Sequence, residues 1–135
     1  MKIDMKKVLI MCTGNSCRSI IGEALVNAFL DGVEAKSCGV SPSGRVNENA
    51  KKVLHEHGIW EDNYHSKHLD SVIDEDFDLV VTVCDHAKET CPVFPKAVKK
   101  IHVGFEDPDG KTYDAFEDTY VKIKKELLSK IKEAL

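Results

Sequence analysis

A cysteine and an arginine stand six positions apart in the segment CTGNSCRS, and together they predict nucleophilic chemistry on an anion. Cys12 and Arg18 enclose five residues whose backbone N–H groups can curl around an oxyanion. Gly14 permits the positive φ that such a curve requires, and Asn15 tolerates it better than most residues. Arg18 offers a planar pair of donors to a tetrahedral anion. The predicted oxyanion-binding loop consists of Thr13, Gly14, Asn15, Ser16, Cys17, Arg18 and Ser19.

The same surroundings act on the thiol of Cys12. A helix that begins near Cys17 or Arg18 directs its positive end at the loop, and a thiol beside a helix N-terminus and a guanidinium ionises more readily. Ser19 is placed to donate a further hydrogen bond to the sulfur. We therefore predict that Cys12 is a thiolate nucleophile rather than an inert buried thiol.

Alternating strands and helices are predicted to position this loop. Continuous apolar runs, typical of strands buried on both faces of a parallel sheet, cover residues 7–12, 34–40, 78–84 and 101–104. Helical periodicity covers residues 18–31, 47–57 and about 114–134. The pattern predicts an α/β fold, a doubly wound parallel four-stranded sheet flanked by helices. Because ligands bind beyond the carboxyl ends of such strands, the end of the first strand, at Cys12, is where a ligand site is expected.

Length and charge limit the classes of function. The 135 residues fit one domain spanning 1–135, with no repeat or linker. A net charge of -4 gives no basic surplus for nucleic acid or an anionic membrane. The first apolar run is too short for a signal peptide or a membrane span. Five cysteines, an odd number, disfavour a static disulfide framework. A cytoplasmic monomer is expected.

Three segments carry a resemblance to a known superfamily. CTGNSCRS resembles the Cys-x5-Arg-Ser signature of low-molecular-weight protein tyrosine phosphatases, and GFEDP at 104–108 resembles the loop that carries their general acid. VVTVCDHAKETCP at 80–92 is similar to the redox segment of thioredoxin-coupled arsenate reductases of that superfamily. The resemblance implies the low-molecular-weight tyrosine phosphatase-like fold and Asp107 as general acid, although an Asp-Pro pair also serves as an ordinary turn.

The resemblance further implies a relay of three thiols. Cys12 attacks arsenate, Cys84 attacks Cys12 and releases arsenite, and Cys91 attacks Cys84. Thioredoxin then reduces the Cys84–Cys91 disulfide, so no bound cofactor is expected. If residues 84–91 were helical, the two Cα atoms would lie about 10 Å apart along the axis. A disulfide spans roughly 4.4–6.8 Å between Cα atoms, so oxidation is expected to unwind this segment.

Two other functions remain open. A phosphotyrosine phosphatase would use Cys12, Arg18 and Asp107 and leave Cys84 and Cys91 idle. Aromatic residues make up 7% of the chain and none lies in the first loop, which disfavours a pocket for a phenyl ring. A thiol redox sensor would use the Cys84–Cys91 bond but leave Arg18 unexplained. Phosphate and sulfate, which are also tetrahedral, are expected to bind alongside arsenate.

Several residues are given structural roles. Cys17 and Cys38 are expected to pack as small apolar residues, and Glu23 is expected to face solvent.

The six histidines and the cysteines match no tetrahedral zinc spacing, so no metal site is predicted. Some relatives bind a monovalent cation near this loop with help from an acidic residue. Lys67 stands where that acid is expected, which leaves the cation site in doubt.

Overall fold

Four parallel strands form the central sheet of the structure, a computed structural model that describes residues 5–84 and 98–135. Their bounds are β1 (Lys6–Cys12), β2 (Val33–Gly39), β3 (Leu79–Thr82) and β4 (Lys99–His102). They lie in the order β2-β1-β3-β4, and each pair of neighbours is parallel. The chain builds β2 on one side of β1 and then crosses to β3 and β4 on the other. The predicted doubly wound fold is confirmed, with its topological switch point between β1 and β3.

Three helices of the described residues flank the sheet. They are α1 (Arg18–Phe29), α2 (Glu48–Glu56) and α3 (Tyr113–Ala134), and all three lie within two residues of the predicted bounds. A short 3₁₀ turn covers Leu69–Ser71. Among the residues described, no helix combines the length and the apolar character needed to cross a membrane.

The first helix is more deeply buried than its sequence pattern indicates. A single apolar stripe predicts one buried face, but all residues from 19 to 26 are buried. The reason is that α1 packs against β1, β2, α2 and α3 at once. Gly22 shows how close this packing is, because a Cβ added there would lie 2.9 Å from Leu127 Cδ2 and 3.3 Å from Ile10 Cδ1. The amino end of α1 is therefore held firmly relative to the sheet.

The register of β1 and β3 brings two cysteines to the same edge of the sheet. Met11 pairs with Thr82, and the N–H of Val83 donates to the carbonyl of Met11 at 2.9 Å. The strand predicted for residues 78–84 ends at Thr82, so Cys84 lies just beyond the strand end. Because neighbouring parallel strands end at the same edge, Cys84 leaves the sheet beside Cys12.

Candidate active site

The loop between β1 and α1 turns its carbonyl groups toward the segment that follows β2. The carbonyls of residues 12, 13, 14 and 16 accept hydrogen bonds from the N–H groups of residues 40, 41, 43 and 47, at 3.2, 2.9, 3.0 and 3.0 Å. In a trans peptide the C=O and the following N–H point in opposite directions. The N–H groups of residues 13, 14, 15 and 17 therefore face the other side of the loop. The amide of Asn15, one of the four, donates to Cys12 Sγ at 3.2 Å, so the loop amides form a nest beside that sulfur, an arrangement that suits an anion.

The side chain of Asn15 stabilises the curve of this loop. The positive φ falls on Asn15, at 48°, in keeping with the predicted tolerance of that residue, and Gly14 does not adopt it. The side chain of Asn15 is fully buried; its Nδ2 donates to Ser19 Oγ at 2.8 Å and to Ser37 Oγ at 3.0 Å. Its Oδ1 accepts from the N–H of Lys67 at 2.9 Å. Three buried hydrogen bonds offset the cost of left-handed backbone at a residue that has a Cβ.

The sulfur of Cys12 lies among hydrogen-bond donors. Ser19 Oγ is 2.8 Å from Cys12 Sγ, and because that oxygen already accepts from Asn15, its O–H is free to donate to the sulfur. The backbone N–H of Asn15 is a second donor, and α1 begins at Arg18 with its positive end toward the loop. Each of these groups stabilises a negative charge on the sulfur.

Arg18 and Asp107 meet above the loop. Arg18 Nη1 donates to the carbonyl of Phe105 at 3.0 Å, and Nη2 lies 3.4 Å from Asp107 Oδ2. The side chain of Arg18 is 12% exposed, whereas that of Asp107 is 51% exposed. The N–H of Asp109 donates to Asp107 Oδ1 at 3.0 Å. The structure therefore places a half-exposed carboxyl beside the guanidinium of Arg18.

Cys84 contacts the loop directly. Its sulfur is 3.2 Å from Thr13 Oγ1, and the residue is 5% exposed. A second thiol therefore lies beside the residue that follows Cys12. Cys91 lies outside the described residues, and so does the predicted unwinding between Cys84 and Cys91.

Comparison with known proteins identifies the family. The model of the low molecular weight phosphotyrosine protein phosphatases matches residues 7–135. The chain belongs to this family. Arsenate reductase 2 of Staphylococcus epidermidis is 40% identical over 123 residues, which cover 90% of this chain and 93% of the relative.

Solved members of the family share the architecture. The arsenate reductase of Archaeoglobus fulgidus is 34% identical with a TM-score of 0.76, over 87% of this chain and 93% of that one. An arsenate reductase in the phosphate-binding state is 28% identical with a TM-score of 0.77, over 97% of this chain and 100% of that one. The predicted resemblance is confirmed.

The oxyanion-binding loop also contains Cys17, a thiol whose surroundings disfavour its ionisation. Burial raises the pKa of Cys17 to about 12, and the nearby charges of Asp107 and Asp109 act in the same direction. Its sulfur is 3.7 Å from Ser16 Oγ, a contact that opposes this shift only in part. Cys38 is fully buried in β2. Cys12 and Cys17 are free thiols.

The buried carboxyl of Glu23 is connected to the loop through Ser37, whose hydroxyl also contacts Asn15, and the sequence did not indicate this. Glu23 is 5% exposed and accepts from Ser37 Oγ at 2.5 Å, so the expectation that it faces solvent is wrong. Burial raises the pKa of Glu23, while the hydrogen bond from Ser37 and the charge of Lys67 oppose the rise. Helical periodicity places position 23 outside the apolar stripe of α1. Its burial results from contacts with β2, which no local pattern contains.

The loop also depends on a glycine that the sequence analysis did not single out. A Cβ at Gly39, the last residue of β2, would lie 2.5 Å from the carbonyl oxygen of Thr13 and 3.1 Å from the nitrogen of Asn15. Only glycine allows the end of β2 to approach the loop so closely.

In the part of the chain that the structure describes, no group of three or more His, Cys, Asp or Glu side chains could hold a metal ion.

Proposed function

We propose that this protein reduces arsenate to arsenite by a relay of three thiols. The observation that carries the proposal is the 3.2 Å contact between Thr13 Oγ1 and Cys84 Sγ. A phosphatase of this family needs one thiol in its loop, whereas reduction needs a second thiol within reach of the first. The relatives named arsenate reductase, 40% identical over nearly the whole chain, support the same assignment.

The first half of the proposed reaction joins arsenic to Cys12. The loop amides and Arg18 bind the tetrahedral anion, and the Cys12 thiolate attacks arsenic. A bond between arsenic and oxygen breaks, and the departing hydroxide takes a proton from Asp107 to leave as water. The product is a thiol ester of As(V).

The second half transfers two electrons to arsenic. The thiolate of Cys84 attacks Cys12 Sγ, a disulfide forms, and the electron pair of the broken bond between sulfur and arsenic remains on arsenic. Arsenite is released as As(III). Cys91 then attacks Cys84, which frees Cys12 and leaves a Cys84–Cys91 disulfide for thioredoxin to reduce. All electrons pass through thiols, so the proposal needs no bound cofactor, and the reducing cytoplasm is the compartment that suits it.

Phosphotyrosine hydrolysis is the second candidate, because the family model takes its name from it. Cys12, Arg18 and Asp107 would suffice for that reaction. Among the described residues, however, the depression beside the loop has a largely polar lining without an aromatic side chain: Ser16, Ser43, Arg45, Val46, Asn47, Glu48, Asn49 and Asp109. This depression gives a phenyl ring little to stack on, and the second thiol at Cys84, in contact with Thr13, favours the reductase.

Steady-state arsenate reduction coupled to thioredoxin, thioredoxin reductase and NADPH tests the proposal. We expect Cys84→Ser and Cys91→Ser each to abolish multiple turnovers, because each interrupts the relay. Cys38→Ala is the matched control, since it removes a buried thiol of β2 and should retain turnover. A Cys91→Ser variant with wild-type turnover would exclude the three-thiol relay. Dominant phosphatase activity that both serine variants retain would favour the second candidate.

A further inference from the structure

Asn47 joins the oxyanion loop to the loop that carries Asp107. Its backbone N–H donates to the carbonyl of Ser16 at 3.0 Å. Its Oδ1 accepts from two N–H groups in the first turn of α2, at 2.8 and 3.4 Å. Its Nδ2 donates to Asp109 Oδ1 at 2.9 Å. One residue therefore contacts three structural units that meet at the site.

We propose that Asn47 is a positioning residue that holds the Asp107 loop at a fixed distance from the oxyanion loop. The inference rests on the proposed function, in which Asp107 protonates the departing oxygen. Asp109 transmits the contact, because its N–H donates to Asp107 Oδ1 at 3.0 Å. At the other end of the same loop, Arg18 holds the carbonyl of Phe105 at 3.0 Å. The general-acid loop is thus attached at both ends to residues of the anion site.

The residue type at position 47 fits both tasks. Helix N-caps are commonly Ser, Thr, Asp or Asn, because each can accept hydrogen bonds from the first helix amides. An aspartate has no donor for Asp109, and a serine would have to serve α2 and Asp109 through a single oxygen. Asparagine carries its acceptor and its donor on separate atoms, and the structure shows both in use. A cap alone would not require the amide.

The test compares a charge change at position 47 with its compensation at position 109. Asn47→Asp retains a helix cap but loses the donor and places two carboxylates together. General acid catalysis contributes about 10²–10⁴-fold, so partial misplacement should lower kcat for arsenate roughly tenfold, with the KM changed less than about twofold. Asn47→Asp combined with Asp109→Asn restores a donor and an acceptor and should recover most of the lost kcat. Asn63→Asp, which makes the same charge change at an exposed position outside the depression beside the loop, is the control and should retain kcat.

Amide hydrogen exchange of residues 105–110 supplies a measurement that does not depend on turnover. We expect faster exchange in Asn47→Asp than in Asn63→Asp, and protection restored in the double variant. If the native chain reduced no arsenate but this exchange pattern held, the proposed function would fail and the positioning role would stand. Equal exchange in Asn47→Asp and Asn63→Asp, or a double variant no better than Asn47→Asp, would overturn the positioning role.

Discussion

Replacing Gly39 with alanine should displace the oxyanion loop by a distance that the structure defines. The new Cβ would lie 2.5 Å from the carbonyl oxygen of Thr13, about 0.9 Å short of the 3.4 Å at which ordinary contact begins. Neither side yields easily, because Gly39 pairs with Cys12 in the sheet and its N–H donates to the carbonyl of Lys67 at 2.9 Å. Overpacking of this kind costs about 1–3 kcal/mol of stability. Misplacement of reacting groups by about 1 Å costs roughly 10²-fold in rate.

Two assays separate these effects. Chemical denaturation gives the change in the free energy of unfolding. Protection of Cys12 from iodoacetamide by phosphate gives the affinity of the loop for an anion without assuming any activity. Gly22→Ala is the matched control, because its new Cβ would meet the flexible end of Leu127 at 2.9 Å in the core, so stability should change and phosphate affinity should not. Native phosphate affinity and arsenate turnover in Gly39→Ala would refute the reasoning.

Two further predictions concern buried polar groups behind the loop. Ser19→Ala removes the hydroxyl 2.8 Å from Cys12 Sγ; hydrogen bonds to charged groups contribute about 1.5–3 kcal/mol, so alkylation of Cys12 by iodoacetamide should be roughly tenfold or more slower than in the native chain under the same conditions. An unchanged alkylation rate would show that the hydroxyl does not stabilise the thiolate. Because burial raises the pKa of Glu23 above its ordinary value of 4.5, the unfolded chain loses this proton first and stability falls as pH rises above that value until the folded carboxyl has also ionised. Glu23→Gln should remove this part of the pH dependence in denaturation between pH 4.5 and 7, and identical curves for the two proteins would contradict the assignment.

The elements of the fold could be predicted because their patterns are local. The apolar runs of β1 and β3 and the periodicity of α1, α2 and α3 each lie within one short segment of chain. The loop between Cys12 and Arg18 could be predicted for the same reason, since its residues are consecutive. The strand order follows from contacts between distant segments, and the sequence analysis did not predict it.

The remaining features of the site depend on tertiary contacts. Glu23 is buried because β2 covers that side of α1, and Gly39 is needed because β2 ends against the loop. Asn47 looks like an ordinary helix cap in the sequence, and its second contact, with Asp109, joins residues 62 positions apart. The positive φ falls on Asn15 and not on Gly14 because partners at Ser37 and Lys67 hold its side chain. Patterns along the chain do not contain such partners.

The hydrogen bonds to the loop carbonyls, which shape the nest, come from the N–H groups of residues 40, 41, 43 and 47, between β2 and the start of α2. A ligand therefore meets a site whose form is already set, and little of its binding free energy is needed to order the loop. If the nest binds an anion as proposed, it recognises the shape and charge of a tetrahedron, which phosphate shares with arsenate. Under the proposed function, discrimination must come after capture, at the step where the central atom accepts an electron pair. Arsenic(V) is readily reduced there and phosphorus(V) is not, so abundant phosphate would slow the enzyme as a competitor without being consumed.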